Sequence, residues 1–220
     1  MTAADFLPQR ISLPALREAV QDCRGCELYR RATQAVFGEG HSRARVMMVG
    51  EQPGDAEDIA GRPFVGPAGR LLDRMLEAAG VPRAEIYLTN AVKHFKWIPR
   101  GKRRLHQKPG SGEVEACKPW LEAELAVIKP EVLVLLGATA AQALLGRAFK
   151  VTRSRGVPFA SRYAPVTFAT VHPSSLLRIP DQIERRTARA LFQREMELVA
   201  ETLRAGVPMA GARAAPAAHR

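Results

Sequence analysis

Residues 45–66 read RVMMVGEQPGDAEDIAGRPFVG. The segment from Arg45 to Val49 is almost wholly apolar and stops at a glycine. So short an apolar run, closed by Gly, Pro and Asp, fits a strand covered on both faces better than a half-exposed one. After it, Gly50, Pro53 and Gly54 let backbone amides approach a ligand closely. Glu51, Gln52 and Asp55 put acid and amide groups at the strand end, and Phe64 offers an aromatic face to a planar ring. Taken alone, the stretch serves equally well as an acidic, glycine-rich turn above a core phenylalanine.

The same strand pattern recurs at Ile86–Thr89, Val132–Leu136 and Val166–Val171. Helical periodicity lies between these runs, over Ala68–Ala79, Glu113–Ile128 and Ala138–Leu145, with flanking helices at Pro14–Asp22 and Gln182–Leu203. Alternation of this kind predicts an α/β fold, a three-layer α/β/α sandwich around a central four-stranded parallel sheet. One domain over residues 1–205 accounts for the whole pattern. Pro99–Gly112, rich in Gly, Pro, Lys and Arg, reads as a long exposed basic loop, and 206–220 as a disordered Ala/Pro/Arg tail.

The chain has 220 residues, 46% of them hydrophobic, which is enough for a buried core and excludes global disorder. Its formal net charge of +11 favours a polyanionic partner, because a basic surface gains affinity by releasing phosphate counterions. No apolar run reaches the length of a membrane span, and Met1–Arg10 lacks a signal-peptide core, so a soluble cytoplasmic protein without membrane partners is expected. Three cysteines cannot all pair within one chain, and metal binding or burial explains them better than disulfides.

Each strand ends in a polar motif: Gly50-Glu51-Gln52-Pro53-Gly54-Asp55, then Asn90-Ala91-Val92-Lys93-His94, Gly137-Ala138-Thr139 and His172-Pro173-Ser174-Ser175. Ligands of open parallel sheets bind outside the carboxyl ends of the strands, so these groups should converge on one crevice. The first motif, together with TNAVKHFK (89–96) and VHPSSLLR (171–178), resembles the three motifs of the iron–sulfur uracil-DNA glycosylases, family 4. The resemblance runs from Cys23 to about Arg178. It implies that Phe64 stacks on a flipped uracil beside Gly50 and Gln52, and that Asn90 reads its O4 and N3–H edge. It also implies that His172 donates to O2 as the base departs, with Gln52 and Asp55 in the catalytic set and Ser174 on the DNA. Singly, Asn90 is an ordinary turn former and His172 an ordinary strand-end histidine; the case lies in their joint occurrence.

Cys23 and Cys26 form C-x-x-C ahead of the first strand, and Cys117 lies near the start of the Glu113 helix. Where family 4 carries its third cluster ligand, this chain has His94. The resemblance therefore implies a [4Fe–4S] cluster held by Cys23, Cys26, His94 and Cys117, a structural group, since glycosidic hydrolysis transfers no electrons. Spacing alone points rather to structural Zn²⁺.

Gly101-Lys102-Arg103-Arg104-Leu105-His106-Gln107-Lys108 is longer than the matching segment of ordinary family 4 members and resembles the UdgX branch of that superfamily. Gln52 in GEQPG and the histidine at position 94 resemble the same branch. The likeness implies that His106 attacks deoxyribose C1′ as uracil leaves, with Glu51 orienting or stabilising the imidazole and Lys102, Arg103, Arg104 and Lys108 clamping phosphates. Charge pattern alone describes only a solvated basic loop. Two other classes remain open: hydrolytic turnover without capture, and a non-catalytic iron–sulfur DNA-binding protein. A dinucleotide enzyme is set aside because the turn lacks G-x-G-x-x-G, so no nucleotide cofactor is expected. The expected partner is uracil-containing DNA, preferably single-stranded, and the expected state is a monomer.

Overall fold

The computed structural model describes residues 1–206; the expected tail lies, from residue 207 on, outside the described residues. Among the described residues there are six strands: β1 (Val46–Gly50), β2 (Ile86–Asn90), β3 (Trp97–Arg100), β4 (Arg103–His106), β5 (Val132–Leu136) and β6 (Val166–Thr170). The helices are α1 (Leu13–Ala19), α2 (Asp55–Ala60), α3 (Pro67–Ala79), α4 (Ser111–Ile128), α5 (Ala138–Leu145), α6 (Val151–Ser154), α7 (Pro173–Leu177) and α8 (Gln182–Ala205). Four strands form one parallel sheet in the order β2-β1-β5-β6.

Every residue of those four strands is buried, which is why they read as unbroken apolar runs. Side chains alternate between the two faces of a strand. Met47, Val49, Tyr87, Leu133 and Leu135 accordingly join a core with α1, α4 and α5. Val46, Met48, Ile86, Val134 and Phe168 join another with α3 and α8. The sandwich therefore has three layers, as the sequence pattern predicts. No described helix is long and apolar enough to cross a membrane.

One expectation is corrected. Pro99–Gly112 is not a long loop: β3 and β4 pair antiparallel across a two-residue turn at Gly101–Lys102, and α4 already starts at Ser111. Charge density masked the strand pattern, because the inward-facing member of the hairpin is an arginine whose partners are distant in sequence.

Between β2 and α4 lies an ion pair with no solvent contact. Lys93 Nζ bonds a carboxylate oxygen of Glu124, and both side chains are 0% exposed. The ammonium also donates to Thr89 Oγ1 at 2.7 Å and to the Asn90 carbonyl at 2.9 Å. Glu124 accepts further hydrogen bonds from Tyr87 Oη, Thr89 Oγ1 and the Gly38 N–H. Removing one charge from such a pair strands the other in a dry interior. Glu124→Ala is therefore expected to cost about 3–5 kcal/mol in urea denaturation, and the apolar pair Lys93→Met/Glu124→Leu distinctly less. Equal losses in the two variants would show that packing, not the stranded charge, sets the cost.

Candidate active site

The sheet order reverses between β1 and β5, and a crevice opens at such a switch point beyond the strand ends. A cavity of about 510 Å³ lies there. Gln52 and Asp55 line it from behind β1, Asn90 from the end of β2, His106 from the hairpin, and His172 and Ser174 from behind β6. Phe64, Glu57 and Arg178 complete the wall. Glu51 sits just behind, taking a hydrogen bond from Thr139 at the start of α5.

Two close approaches shape the floor. A methyl group on Gly50 would come within 2.3 Å of Asn90 Oδ1 and 2.8 Å of Phe64 Cζ, so a bare backbone lets both side chains reach the same space. Phe64 itself adopts φ +57°, a left-handed conformation that costs a bulky residue roughly 1–3 kcal/mol. The surroundings hold it there. Glu57 accepts from the N–H groups of Gly54 at 3.1 Å and Gly66 at 2.8 Å, tying both ends of the segment that carries the ring. Gly69 leaves room for the Phe64 carbonyl, which a side chain there would strike. The Phe64 ring lies 6.2 Å from that of His172, at 25°.

His172 caps α7. Its Nδ1 accepts the Ser174 N–H at 3.2 Å and contacts Ser174 Oγ at 2.8 Å. An Nδ1 that accepts a backbone N–H carries no proton, so the neutral ring keeps its hydrogen on Nε2, the nitrogen left free to serve as a donor. Burial pulls the pKa from 6.5 down to about 4, and the positive charge of Arg178, with that of His106 whenever it is protonated, pushes the same way. Above the mid-acid range the side chain is a neutral donor.

His106 reaches the cavity on β4, directly across from Trp97. Its Nε2 is 3.6 Å from Glu51 Oε1, and its ring lies 6.0 Å from Phe95. Burial holds this imidazole below its usual pKa; Glu51 opposes that shift and Arg178 reinforces it. Two devices fix the hairpin. The Gln52 amide bonds the Lys96 N–H at 3.1 Å, the Gln107 carbonyl at 3.0 Å and the Lys96 carbonyl at 3.3 Å, bridging both legs. Arg104 bonds Asp55 Oδ1 and Asp58 Oδ2, each at 2.5 Å, while its guanidinium lies over the rings of Phe95 and Trp97. Arg104 is thus taken up by carboxylates and does not stand free for phosphate, unlike Lys102, Arg103 and Lys108, which are exposed. Asp55 is engaged in the same clasp.

The thiols lie away from this cavity. Cys23 and Cys117 are buried and Cys26 is half-buried. Trp120 Nε1 and the Lys93 N–H each approach a thiol sulfur at 3.2 Å, Cys23 and Cys117 respectively. Burial pushes the Cys117 thiol up to about 12, and Cys26 and Cys23 add to the rise. Buried thiols within electrostatic reach of one another, with N–H groups aimed at sulfur, suit a bound cationic centre that would hold them as thiolates. His94 is buried, and burial pulls its pKa down to about 4, which leaves a neutral ring with a free lone pair. Among the described residues, no three such side chains close into one compact ligand group. The three thiols and His94 fit such a centre by the chemistry of their donors.

Sequence reading placed Thr139 among the strand-end motifs but gave no role of their own to Glu57, Asp58 or Arg178. Only Glu57 had a visible signal, as an acid three residues beyond Gly54 where a helix begins. Asp58 is fully buried, accepting from the Thr33 N–H, the Thr33 hydroxyl and Arg104, partners 25 and 46 residues away.

A parallel sheet with polar groups from its strand ends gathered over one cavity defines a small-ligand or nucleotide-recognising α/β protein. The family model of the uracil DNA glycosylase superfamily matches residues 37–197, and the chain belongs to that superfamily. It is 37% identical to the type-4 uracil-DNA glycosylase of Pyrobaculum aerophilum over 86% of this chain and 93% of that one. It is 40% identical to the type-4 enzyme of Thermotoga maritima, over 73% and 81%. The type-4 enzyme of Sulfurisphaera tokodaii is 36% identical, over 77% and 78%.

The buried imidazole of His172 predicts an acid limit to stability. Its folded pKa of about 4 lies below the unfolded 6.5, so the unfolded chain takes the proton first as pH falls. The stability it contributes is complete above pH 6.5 and is lost on the way down to about pH 4, by up to about 1.4 kcal/mol per unit. In guanidinium denaturation at pH 7 and pH 4.5, His172→Gln is expected to lose less stability between the two than the unaltered protein does. Parallel losses would place the sensitivity elsewhere.

Proposed function

We propose that this uracil-DNA glycosylase excises uracil from DNA in the cavity beneath Phe64, and that His106 then captures the sugar covalently. The observation that carries this reading is the convergence of Phe64, Asn90, His106 and His172 on one cavity, with His106 on a hairpin clasped from two sides. An extruded uracil stacks on Phe64 beside Gly50, and the Asn90 amide pairs with its O4 and N3–H. As the C1′–N1 bond breaks, its electron pair leaves with the base and charge spreads to O2. The Nε2–H of His172 donates there, and one well-placed donor lowers a barrier by roughly 3–4 kcal/mol. Because the ring is neutral, it stabilises that charge by hydrogen bonding and retains its proton.

The electron-deficient C1′ then takes a lone pair. Desolvation shifts His106 toward its neutral form, which carries a free lone pair, and a nucleophile fixed near the sugar outcompetes bulk water through effective molarity. Attack forms an N–C1′ bond and leaves the imidazole cationic. The Glu51 carboxylate, 3.6 Å from Nε2 in the free protein and steadied by Thr139, stabilises that charge. Gln52, Asp55 and Arg104 act as positioning residues for the hairpin. Lys102, Arg103 and Lys108 neutralise phosphates, and Ser174 sits where the strand passes His172. Single-stranded DNA is preferred, because extrusion costs least there. One copy of the chain, folded as a single domain over residues 1–205, suffices.

Cys23, Cys26, Cys117 and His94 hold a [4Fe–4S] cluster on this reading. The resemblance to the iron–sulfur glycosylases favours the cluster over tetrahedral zinc, which the same four donors could also hold. Its contribution is structural: it braces the N-terminal segment and the Lys93–Phe95 turn against α4.

Two measurements test the proposal. Protein incubated with uracil-containing single-stranded DNA should give a heat-stable, slower band on a denaturing gel, and His106→Ala should not. A released strand with an abasic site and no slow band would mean hydrolytic turnover instead, and a slow band persisting in His106→Ala would falsify this nucleophile. Protein purified without oxygen should be brown and contain iron and sulfide; a colourless protein with one zinc per chain overturns the cluster.

A further inference from the structure

The hairpin has a second face. Cross-strand register places Trp97 opposite His106 and Pro99 opposite Arg104, while Ile98 faces Leu105 and Arg100 faces Arg103. Side chains on adjacent strand positions point to opposite sides of a ribbon. Arg104 turns inward, over Phe95 and Trp97 to Asp55 and Asp58. Ile98 and Leu105 therefore point outward, and they remain 43% and 41% exposed. Arg100, Lys102 and Arg103 are exposed around them.

Exposed branched aliphatics directly across a ladder keep a joint apolar surface in water. A cationic rim around such a surface selects its occupant by charge: a ligand with an apolar face and anionic flanks. Single-stranded DNA has that character, with base faces between phosphates. Position agrees. Leu105 directly precedes His106, so the pair lies one strand position, about 3.3 Å of backbone rise, from the residue that reaches the cavity, on the opposite side of the ribbon.

We propose that the outward face of the β3–β4 hairpin is a nucleobase-docking surface, on which Ile98 and Leu105 cover the face of a base neighbouring the extruded uridine while Arg100, Lys102 and Arg103 hold its phosphates. The inference rests on uracil excision in the adjacent cavity and extends it to the flanking strand. It gives the enzyme a reason to prefer strands whose neighbouring bases are unpaired, since a base inside a duplex keeps both faces stacked.

The test uses two single-stranded oligonucleotides, each with one uracil. One is ordinary; in the other the nucleotides flanking the uridine lack bases but keep their phosphates. Ile98→Thr/Leu105→Thr retains strand-forming residues and removes apolar area. Read under single-turnover conditions on the ordinary strand, this variant should raise the DNA concentration that half-saturates uracil release by roughly five- to ten-fold, with the maximal rate little altered. On the base-free strand it should match the unaltered protein. Arg100→Gln/Arg103→Gln should raise the half-saturating concentration on both strands and flatten the salt dependence. Equal half-saturating concentrations for the threonine variant and the unaltered protein on the ordinary strand overturn the inference, as does an equal loss on both strands. A shift in sedimentation from dimer to monomer, with DNA kinetics untouched, would assign the face to a second copy and overturn it too. Absence of uracil release by the unaltered protein on either strand would sink the underlying excision reading itself.

Discussion

The Lys93–Glu124 pair sits where four parts of the molecule meet. Lys93 reaches the hydroxyl of Thr89, the carbonyl of Asn90 and the Glu124 carboxylate, and its own N–H approaches Cys117. Glu124 adds the Tyr87 hydroxyl and the Gly38 N–H. A fully buried charge pair is weak evidence for net stability, because desolvation offsets most of its attraction. What it provides is direction. An apolar contact would tolerate small rotations of the β2 end, whereas three donors on one ammonium fix the peptide plane that carries Asn90. The thiol region and the Asn90 edge of the cavity are thereby linked through one residue.

Around that fixed edge the cavity is assembled from groups with little freedom. Phe64 is held in an unfavourable backbone conformation by a carboxylate that ties both ends of its segment. His172 is locked in one tautomer by the first turn of the helix that it caps. Each constraint replaces solvent reorganisation with geometry set during folding, which is how a preorganised site stabilises developing charge.

The layers of the fold were legible because burial on both faces leaves a local trace. VMMVG, IYLTN, VLVLL and VTFAT each show it without reference to one another. The strand-end motifs were legible for the same reason, since the topology of a parallel sheet dictates where Gly50, Asn90 and His172 must gather. The hairpin was not. Its fixing contacts join Arg104 to Asp55 and Asp58, and Gln52 to Gln107, across tens of residues, and a local reading of KRRLH sees only charge. Glu124 was hidden likewise, as one acid in a long helix whose partners lie on a neighbouring strand and near the N-terminus.

The manner in which the hairpin is fastened has a wider consequence. It joins no hydrophobic layer: one guanidinium clasp, one glutamine bridge and a few ring contacts attach it to a sandwich whose cores close without it. The guanidinium clasp nonetheless ties the ribbon to the layer beneath: Asp58 is fully buried, and Arg104 is the cation that meets its carboxylate. Removing that arginine would leave an acid sealed in the interior without its counter-charge, so outer ribbon and inner layer are obliged to change together.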